Sequence, residues 1–169
     1  ELAGELRALD VLGDRFFVLG LRCEQVALEH VQTRREQGRQ RRLAGVERLV
    51  PLGADVMKVQ FPRAGAAGLE EEWCRRLDAA CGSTRWVLLG GGAAYETFAA
   101  QVEIACRAGA SGYIVGRTAW EGAVSPDPDE RRRWLAEVGA PRLRAVRERA
   151  VALARPFMSR VPPLAEYGP

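Results

Sequence analysis

A single lysine carries the strongest chemical signal in this sequence. Lys58 lies between Met57 and Val59 in the stretch GADVMKVQFP, residues 53–62, and it is the only lysine among 25 basic residues. An amine whose pKa is lowered by burial is uncharged often enough to attack a carbonyl carbon and form a Schiff base. A shift of about three pKa units costs on the order of 4 kcal/mol, which core packing does not require. We therefore predict that Lys58 is a nucleophile; the alternative is a lysine that extends to solvent or pairs with Asp55.

Glycines and an arginine near two later apolar runs could hold a phosphate group. Gly91 and Gly92 belong to the glycine triplet in WVLLGGGAAYETF, just before a predicted helix, and Gly116 and Arg117 end the run in YIVGRTAW. Glycine lets backbone N–H groups approach an anion, the helix dipole favours negative charge there, and a guanidinium binds phosphate in a bidentate manner. The pair of features predicts an anion site, although a glycine triplet alone is more often a plain loop.

The elements that must position these residues alternate between strands and helices. Four apolar runs are typical of strands, and because they are continuous they are typical of strands covered on both faces. Helical spacing predicts helices between and after them, with Gly109 as a C-terminal cap and Asp127 as an N-terminal cap. The strands are predicted at 15–22, 55–61, 85–90 and 112–117; the helices at 94–110 (buried face Phe98, Val102, Ala105, Cys106), 127–135 and about 142–155 (Leu143, Val146, Ala150, Leu153).

This order predicts an α/β fold with about four βα units, which is half of a (β/α)₈ TIM barrel. Ligands meet the carboxyl ends of the strands in such folds, where the lysine, the glycines and the arginine would lie. Half a barrel leaves two edge strands with unpaired backbone N–H and C=O groups, and an uncovered interior face. We therefore expect the other half to come from upstream sequence or from a second subunit. An open, doubly wound sheet is the competing architecture.

Composition excludes several classes of protein. No apolar run reaches the roughly 18 residues that span a bilayer. Four scattered cysteines without a CxxC pair, and a single histidine, His30, predict no metal site and favour reduced thiols in the cytoplasm. The arginine-rich segments 34–42 and 131–133 are interleaved with acidic residues and lack aromatic neighbours. We interpret them as solvated helix surface and expect no nucleic-acid partner.

Several segments in order resemble one enzyme family. GADVMKVQFP, WVLLGGG, ETFAAQVEIACRAGASGYIVGRTAWEGAV and WLAEVGAPRLRAV resemble the C-terminal half of the tagatose 1,6-bisphosphate aldolases, class I aldolases with a (β/α)₈ barrel that include sulfofructose-phosphate aldolases. The resemblance is closest from about Gly53 to Val124 and extends loosely over residues 1–169, as the fifth to eighth βα units of the barrel domain. It implies that Lys58 forms the Schiff base, and that Gly91, Gly92, Gly116 and Arg117 bind the substrate phosphate.

The same resemblance implies a ketose phosphate substrate, cleaved to dihydroxyacetone phosphate and an aldehyde without a metal or other cofactor. Three positions depart from the family pattern: Leu19 stands where a glutamate is thought to serve as acid and base, Gln60 replaces a second glutamate, and a glycine replaces a serine in the triplet loop. Losing a positioned general acid or base costs about 10²- to 10⁴-fold in rate. A non-catalytic, sugar-phosphate-binding remnant of the aldolase fold is therefore the alternative function.

Overall fold

The computed structural model describes residues 32–63 and 67–160. The predicted strand at 15–22, with Leu19, and also His30, lie outside the described residues. The chain divides into two compact units, residues 1–38 and 39–169. Of the first unit, residues 32–38 are described, and they are helical. Everything that bears on the candidate site belongs to the second unit.

Helices and parallel strands alternate along the described chain, as the apolar runs predict. Three strands and six α-helices are described, together with short 3₁₀ and π segments. The elements are α1 (32–49), a 3₁₀ turn (Val50–Leu52), β1 (Val56–Gln60), α2 (Ala67–Cys81), β2 (Arg85–Leu89), α3 (Tyr95–Arg107), β3 (Tyr113–Ile114), α4 (Arg117–Trp120), a 3₁₀ turn (Glu121–Ala123), α5 (Pro128–Trp134), a π turn (Leu135–Gly139), α6 (Ala140–Leu153) and a 3₁₀ turn (Phe157–Arg160).

The three strands form one parallel sheet in the order β1-β2-β3. Lys58 is paired with Val87, and Leu89 is paired with Ile114. The strand predicted at 112–117 is shorter than expected, because the chain leaves the sheet after Ile114 and enters α4 at Arg117. This mixed α/β arrangement is consistent with part of a TIM-barrel fold, and the described residues by themselves do not close a barrel.

The hydrophobic core lies between one face of the sheet and the helices. It contains the large side chains of Trp86 and Leu88 from β2 and of Phe98 from α3. The helical face predicted for α3 is confirmed, since Phe98, Val102, Ala105 and Cys106 are all buried. In α6 the four apolar residues at helical spacing differ in exposure. Val146 and Ala150 are buried, whereas Leu143 and Leu153 are exposed.

The prediction that every strand is covered on both faces is confirmed for β2 and wrong for β1. Trp86, Val87 and Leu88 are consecutive and all buried. In β1 burial alternates: Met57 and Val59 are buried, whereas Val56, Lys58 and Gln60 are exposed. The physical reason is position, because β2 is flanked by a strand on each side, whereas β1 is at the edge of the described sheet and only its helix-facing side is packed.

The ends of two helices confirm the caps that the sequence predicts. Gly109 has φ +114°, its N–H donates to the carbonyl of Cys106 at 3.1 Å, and the N–H of Ala110 donates to Ala105 at 3.0 Å. These two bonds form a Schellman motif. Asp127 caps α5 by accepting a hydrogen bond from the N–H of Asp129 at 2.8 Å. Both caps are local, which is why the sequence predicts them.

The arginine-rich stretch 34–42 is helical, as expected, but it is not solvated throughout. Arg39 is only 5% exposed. Its Nη1 donates to the carbonyl oxygen of Arg63 at 2.7 Å, and its guanidinium lies 5.4 Å from the ring of Trp73. In the second arginine-rich segment, Arg131, Arg132 and Arg133 are exposed, as expected. In the described part of the chain, no helix is both long enough and apolar enough to cross a membrane.

Candidate functional site

Lys58 projects from β1 on the side of the sheet that faces away from the helices. Strand side chains alternate between faces, so Lys58 shares its face with Gln60, two residues on, and points away from Met57 and Val59. Residues paired in a parallel ladder project to the same side, which puts Val87 of β2 beside it. The expectation that the lysine is buried in apolar surroundings is therefore wrong for the described residues, because they leave this side chain exposed.

The glycine triplet forms a tight turn at the carboxyl end of β2. Gly90 is buried and its N–H donates to the carbonyl oxygen of Ile114 at 3.0 Å, which ties the turn to β3. Gly91 and Gly92 have φ +61° and +72°. Two consecutive residues with positive φ strongly favour glycine, since a Cβ costs roughly 1–2 kcal/mol per residue there. The chain leaves the turn directly into the first residues of α3, where the helix dipole is positive.

Arg117 lies beside this turn, as the sequence predicts for an anion site. A β-carbon built on Gly92 would be 3.3 Å from Nη2 of Arg117. The next residue, Thr118, donates a hydrogen bond from Oγ1 to the carbonyl oxygen of Ala93 at 2.8 Å and so fixes α4 against the turn. Gly116 precedes Arg117 as the N-cap residue of α4. The fold thus brings the four predicted phosphate-binding residues to one edge of the sheet.

Gln60 connects the strand of the lysine with the glycine turn. Its Nε2 atom is 3.8 Å from the position that a β-carbon on Gly91 would occupy. Residues i and i+2 of a strand are roughly 7 Å apart, so Lys58 lies about that far below Gln60 along β1. The lysine is therefore on the strand next to the one that ends in the glycine turn. It lies two residues before the carboxyl end of β1.

A polar cavity that the sequence did not predict opens at the same edge. It has a volume of about 250 Å³ and lies against Gln60, Arg42 and Arg63. Arg42 Nη2 donates to Oε1 of Gln60 at 3.4 Å. Partial burial, together with the positive charges of Arg63 and Arg39, lowers the pKa of the Arg42 guanidinium. No sequence signal separates Arg42 from its arginine neighbours on α1, because only the fold shows which of them faces the cavity.

The cysteines and acidic residues do not assemble into a metal site within the described ranges. No group of three or more His, Cys, Asp or Glu side chains there could hold a metal ion. Cys74, Cys81 and Cys106 are buried cysteines in the helices α2 and α3. Burial raises the pKa of Cys74 to about 12, with Glu70 and Glu71 adding to the effect, and raises that of Cys106 to about 11. The thiols of Cys74 and Cys106 are therefore protonated at neutral pH and are poor nucleophiles.

Comparison with known protein families places part of the chain in an aldolase family. Residues 35–122 match the DeoC/LacD family aldolase. The matched range covers more than half of the chain and runs from α1 to the 3₁₀ turn after α4, so it contains Lys58, the glycine turn and Arg117. The match supports an aldolase-type function of class I.

Proposed function

The chain belongs to the DeoC/LacD aldolase family, and on that premise we propose that it is the C-terminal half of a Schiff-base aldolase that cleaves a ketose phosphate to dihydroxyacetone phosphate and an aldehyde. The substrate class is tagatose 1,6-bisphosphate, fructose 1,6-bisphosphate or a related sugar phosphate. One observation carries the proposal: Lys58 is on β1, next to the strand β2 that ends in the glycine turn, and this turn lies with Arg117 at the edge of the sheet where ligands bind in α/β folds.

In the proposed reaction the amine of Lys58 attacks the ketone carbon of the substrate. Loss of water gives an iminium, which accepts the electron pair released when the bond between its α-carbon and the adjacent hydroxyl-bearing carbon breaks. The hydroxyl on the leaving fragment gives its proton to water and becomes the aldehyde carbonyl. The resulting enamine is protonated on carbon and hydrolysed, which returns the free amine and releases dihydroxyacetone phosphate.

The glycine turn and Arg117 hold the phosphate of the substrate in this proposal. Backbone N–H groups of Gly91 and Gly92 approach the phosphate oxygens without a side chain in the way, and Gly116 gives the same access before α4. The Arg117 guanidinium supplies a charge-assisted bond. Fixing one end of the substrate in this way positions the ketone for attack by Lys58, which is a contribution of geometry rather than of acid–base chemistry.

The exposed face of β1 needs a cover for this chemistry. A lysine in water is almost fully protonated at neutral pH, whereas a covered one loses its proton more easily. We propose that an N-terminal half barrel or a second subunit packs on the face that carries Val56, Lys58 and Gln60. The buried thiols of Cys74 and Cys106 fit the cytoplasmic location proposed for the enzyme, since thiols stay reduced there.

A second candidate function is a non-catalytic module that binds a sugar phosphate. Two observations favour it: the described residues leave Lys58 exposed, and Gln60, which shares its face, cannot serve as a general acid or base. The glycine turn and Arg117 would still bind phosphate in such a module.

Borohydride trapping separates the two functions. The full chain is incubated with dihydroxyacetone phosphate, reduced, digested and analysed by mass spectrometry. Since Lys58 is the only lysine in the sequence, an adduct on any lysine side chain is an adduct on this one. We expect a reduced adduct on Lys58 that is absent from Lys58→Met, while Lys58→Met still binds dihydroxyacetone phosphate in calorimetry. Binding by the unchanged chain without any adduct would reject the aldolase and leave the binding module.

A further inference from the structure

The cavity at the carboxyl edge of β1 is a second polar site beside the proposed substrate-phosphate site. Its wall comes from four parts of the fold: α1, the end of β1, the glycine turn and α3. Gly91 is common to this wall and to the proposed phosphate site, whereas Arg117 and Gly92 do not line it. The lining residues that matter for binding are Arg42, Gln60, Arg63, Gly91 and Gln101.

The charged and polar side chains of this cavity are two guanidinium groups, from Arg42 and Arg63, and two amides, from Gln60 and Gln101. Arg42 and Arg63 both line it, and no acidic side chain of the described residues forms an ion pair with either guanidinium. Gln101, on α3, is only 6% exposed and yet lines the cavity. Gln101 is thus a polar group in the wall, and ligand pockets use a small number of such groups to orient a ligand.

Two guanidinium groups at one cavity favour an anion that accepts several hydrogen bonds. Each guanidinium offers a planar set of donors that matches phosphate oxygens, and like charges brought together are relieved by a bound anion. The pKa of Arg42 is lowered partly by Arg63, which is the same like-charge interaction. A volume of about 250 Å³ admits a phosphate with a few waters, since a water occupies about 30 Å³ in the liquid.

We propose that Arg42 and Arg63, with the amides of Gln60 and Gln101, form a binding site for a phosphate-sized oxyanion, separate from the site formed by the glycine turn and Arg117. The ligand is either free phosphate or a second phosphate group on the sugar substrate. The proposal does not rest on the aldolase reaction, because it concerns binding to groups that do not include Lys58.

The test is a titration of the full chain with inorganic phosphate by isothermal calorimetry, in an Arg117→Gln background that weakens the other predicted site. We expect phosphate binding in this background and a loss of about tenfold or more in affinity when Arg42→Gln and Arg63→Gln are added. Gln60→Glu is a near-isosteric second variant. It places a carboxylate on Arg42 that competes with phosphate, so we again expect about tenfold weaker binding.

The matched control also removes two positive charges, but at positions that do not line the cavity. Arg75→Gln with Arg132→Gln replaces exposed arginines that pair with Glu71 and Asp129 on single helices, and it should leave phosphate affinity unchanged. Far-ultraviolet circular dichroism checks that each variant is folded. The proposal is overturned if the Arg117→Gln protein binds no phosphate. It is also overturned if folded Arg42→Gln/Arg63→Gln or folded Gln60→Glu binds phosphate as tightly as its parent.

A second titration distinguishes the two sources of the oxyanion. Fructose 1,6-bisphosphate and dihydroxyacetone phosphate are compared on the chain with and without the Arg42→Gln and Arg63→Gln changes. If the cavity takes the second phosphate of the substrate, only the bisphosphate loses affinity. If it takes free phosphate, inorganic phosphate binding falls while the affinities of both sugar phosphates are unchanged. Either result supports the site.

Discussion

Gly92 and Arg117, which are 25 residues apart in the sequence, are neighbours at the carboxyl edge of the sheet. The Nη2 atom of Arg117 is 3.3 Å from where a β-carbon on Gly92 would be. The guanidinium therefore lies directly against the backbone of the turn, in the space that a side chain at residue 92 would fill. A glycine at this position serves two purposes, since it also permits the observed φ of +72°.

Gly92→Ala should weaken phosphate binding at this edge. The methyl group strains the backbone by roughly 1–2 kcal/mol and pushes the Arg117 guanidinium from its position. We expect about tenfold weaker binding of dihydroxyacetone phosphate by calorimetry. Gly45→Ala is the control: this glycine is in the middle of α1 with no atom within 4 Å of the added carbon. The control should bind normally. Unchanged affinity in Gly92→Ala would contradict the proposed role of Arg117.

Gly109→Ala should destabilise the fold. Gly109 has φ +114°, and a β-carbon there would overlap the carboxylate of Asp78 on α2. We expect a loss of about 2–4 kcal/mol in the free energy of unfolding, measured by urea denaturation. The same measurement on Gly45→Ala should show a gain of about 0.5–1 kcal/mol, because alanine is preferred over glycine inside a helix. A loss below about 1 kcal/mol in Gly109→Ala would mean that α2 and α3 can move apart at little cost.

Asp78→Ala should also lower stability, by a different route. The indole Nε1 of fully buried Trp86 donates to Oδ1 of Asp78 at 3.0 Å, and Arg155 pairs with the other carboxylate oxygen at 3.3 Å. Removing the acceptor leaves a buried donor unsatisfied, which costs about 1–3 kcal/mol.

The control for Asp78→Ala is Asp129→Ala. The Asp129 carboxylate forms an exposed ion pair with Arg132, and such a pair contributes about 0–1 kcal/mol. Equal losses of unfolding free energy in the two variants would contradict a structural role for the Asp78–Trp86 hydrogen bond. Urea denaturation followed by circular dichroism gives both values under the same conditions.

Stability should fall at alkaline pH because of buried thiols. The pKa of Cys74 is raised from 9.0 to about 12 and that of Cys106 to about 11. Above pH 9 the unfolded chain therefore loses these protons while the folded chain keeps them. Their contribution is complete below pH 9 and decreases as pH rises toward 11 for Cys106 and toward 12 for Cys74, by up to about 1.4 kcal/mol per pH unit for each thiol.

Urea denaturation at pH 7.5 and pH 10.5 checks the thiol effect. Cys74→Ala removes one of the titrating groups, so its unfolding free energy should fall less between the two pH values than that of the unchanged chain. Cys74→Ala is expected to be less stable at pH 7.5, because it leaves a small cavity in the core. An identical pH dependence in the two proteins would contradict the assignment.

Local sequence patterns predicted where the strands and helices of the second unit lie better than they predicted which side chains are exposed. The strands at 55–61 and 85–90, the helix at 94–110 and the caps at Gly109 and Asp127 agree with the structure, because each depends on neighbours a few residues away. The strand at 112–117 was predicted too long. Its apolar residues continue past Ile114, but the chain leaves the sheet there, and periodicity alone does not record where hydrogen bonding to β2 ends.

For the candidate site, the sequence by itself determined the unusual residue types: a lone lysine in an apolar run, a glycine triplet and an arginine after a later run. Only the tertiary structure decided which way they face. Lys58 is on the open side of an edge strand, Gly92 lies against Arg117, and Arg42, Gln60 and Arg63 meet at one cavity. The physical reason is that exposure and charge pairing depend on contacts between residues far apart along the chain, as with Arg42 and Gln60, 18 positions apart, and such contacts leave no periodic trace in the sequence.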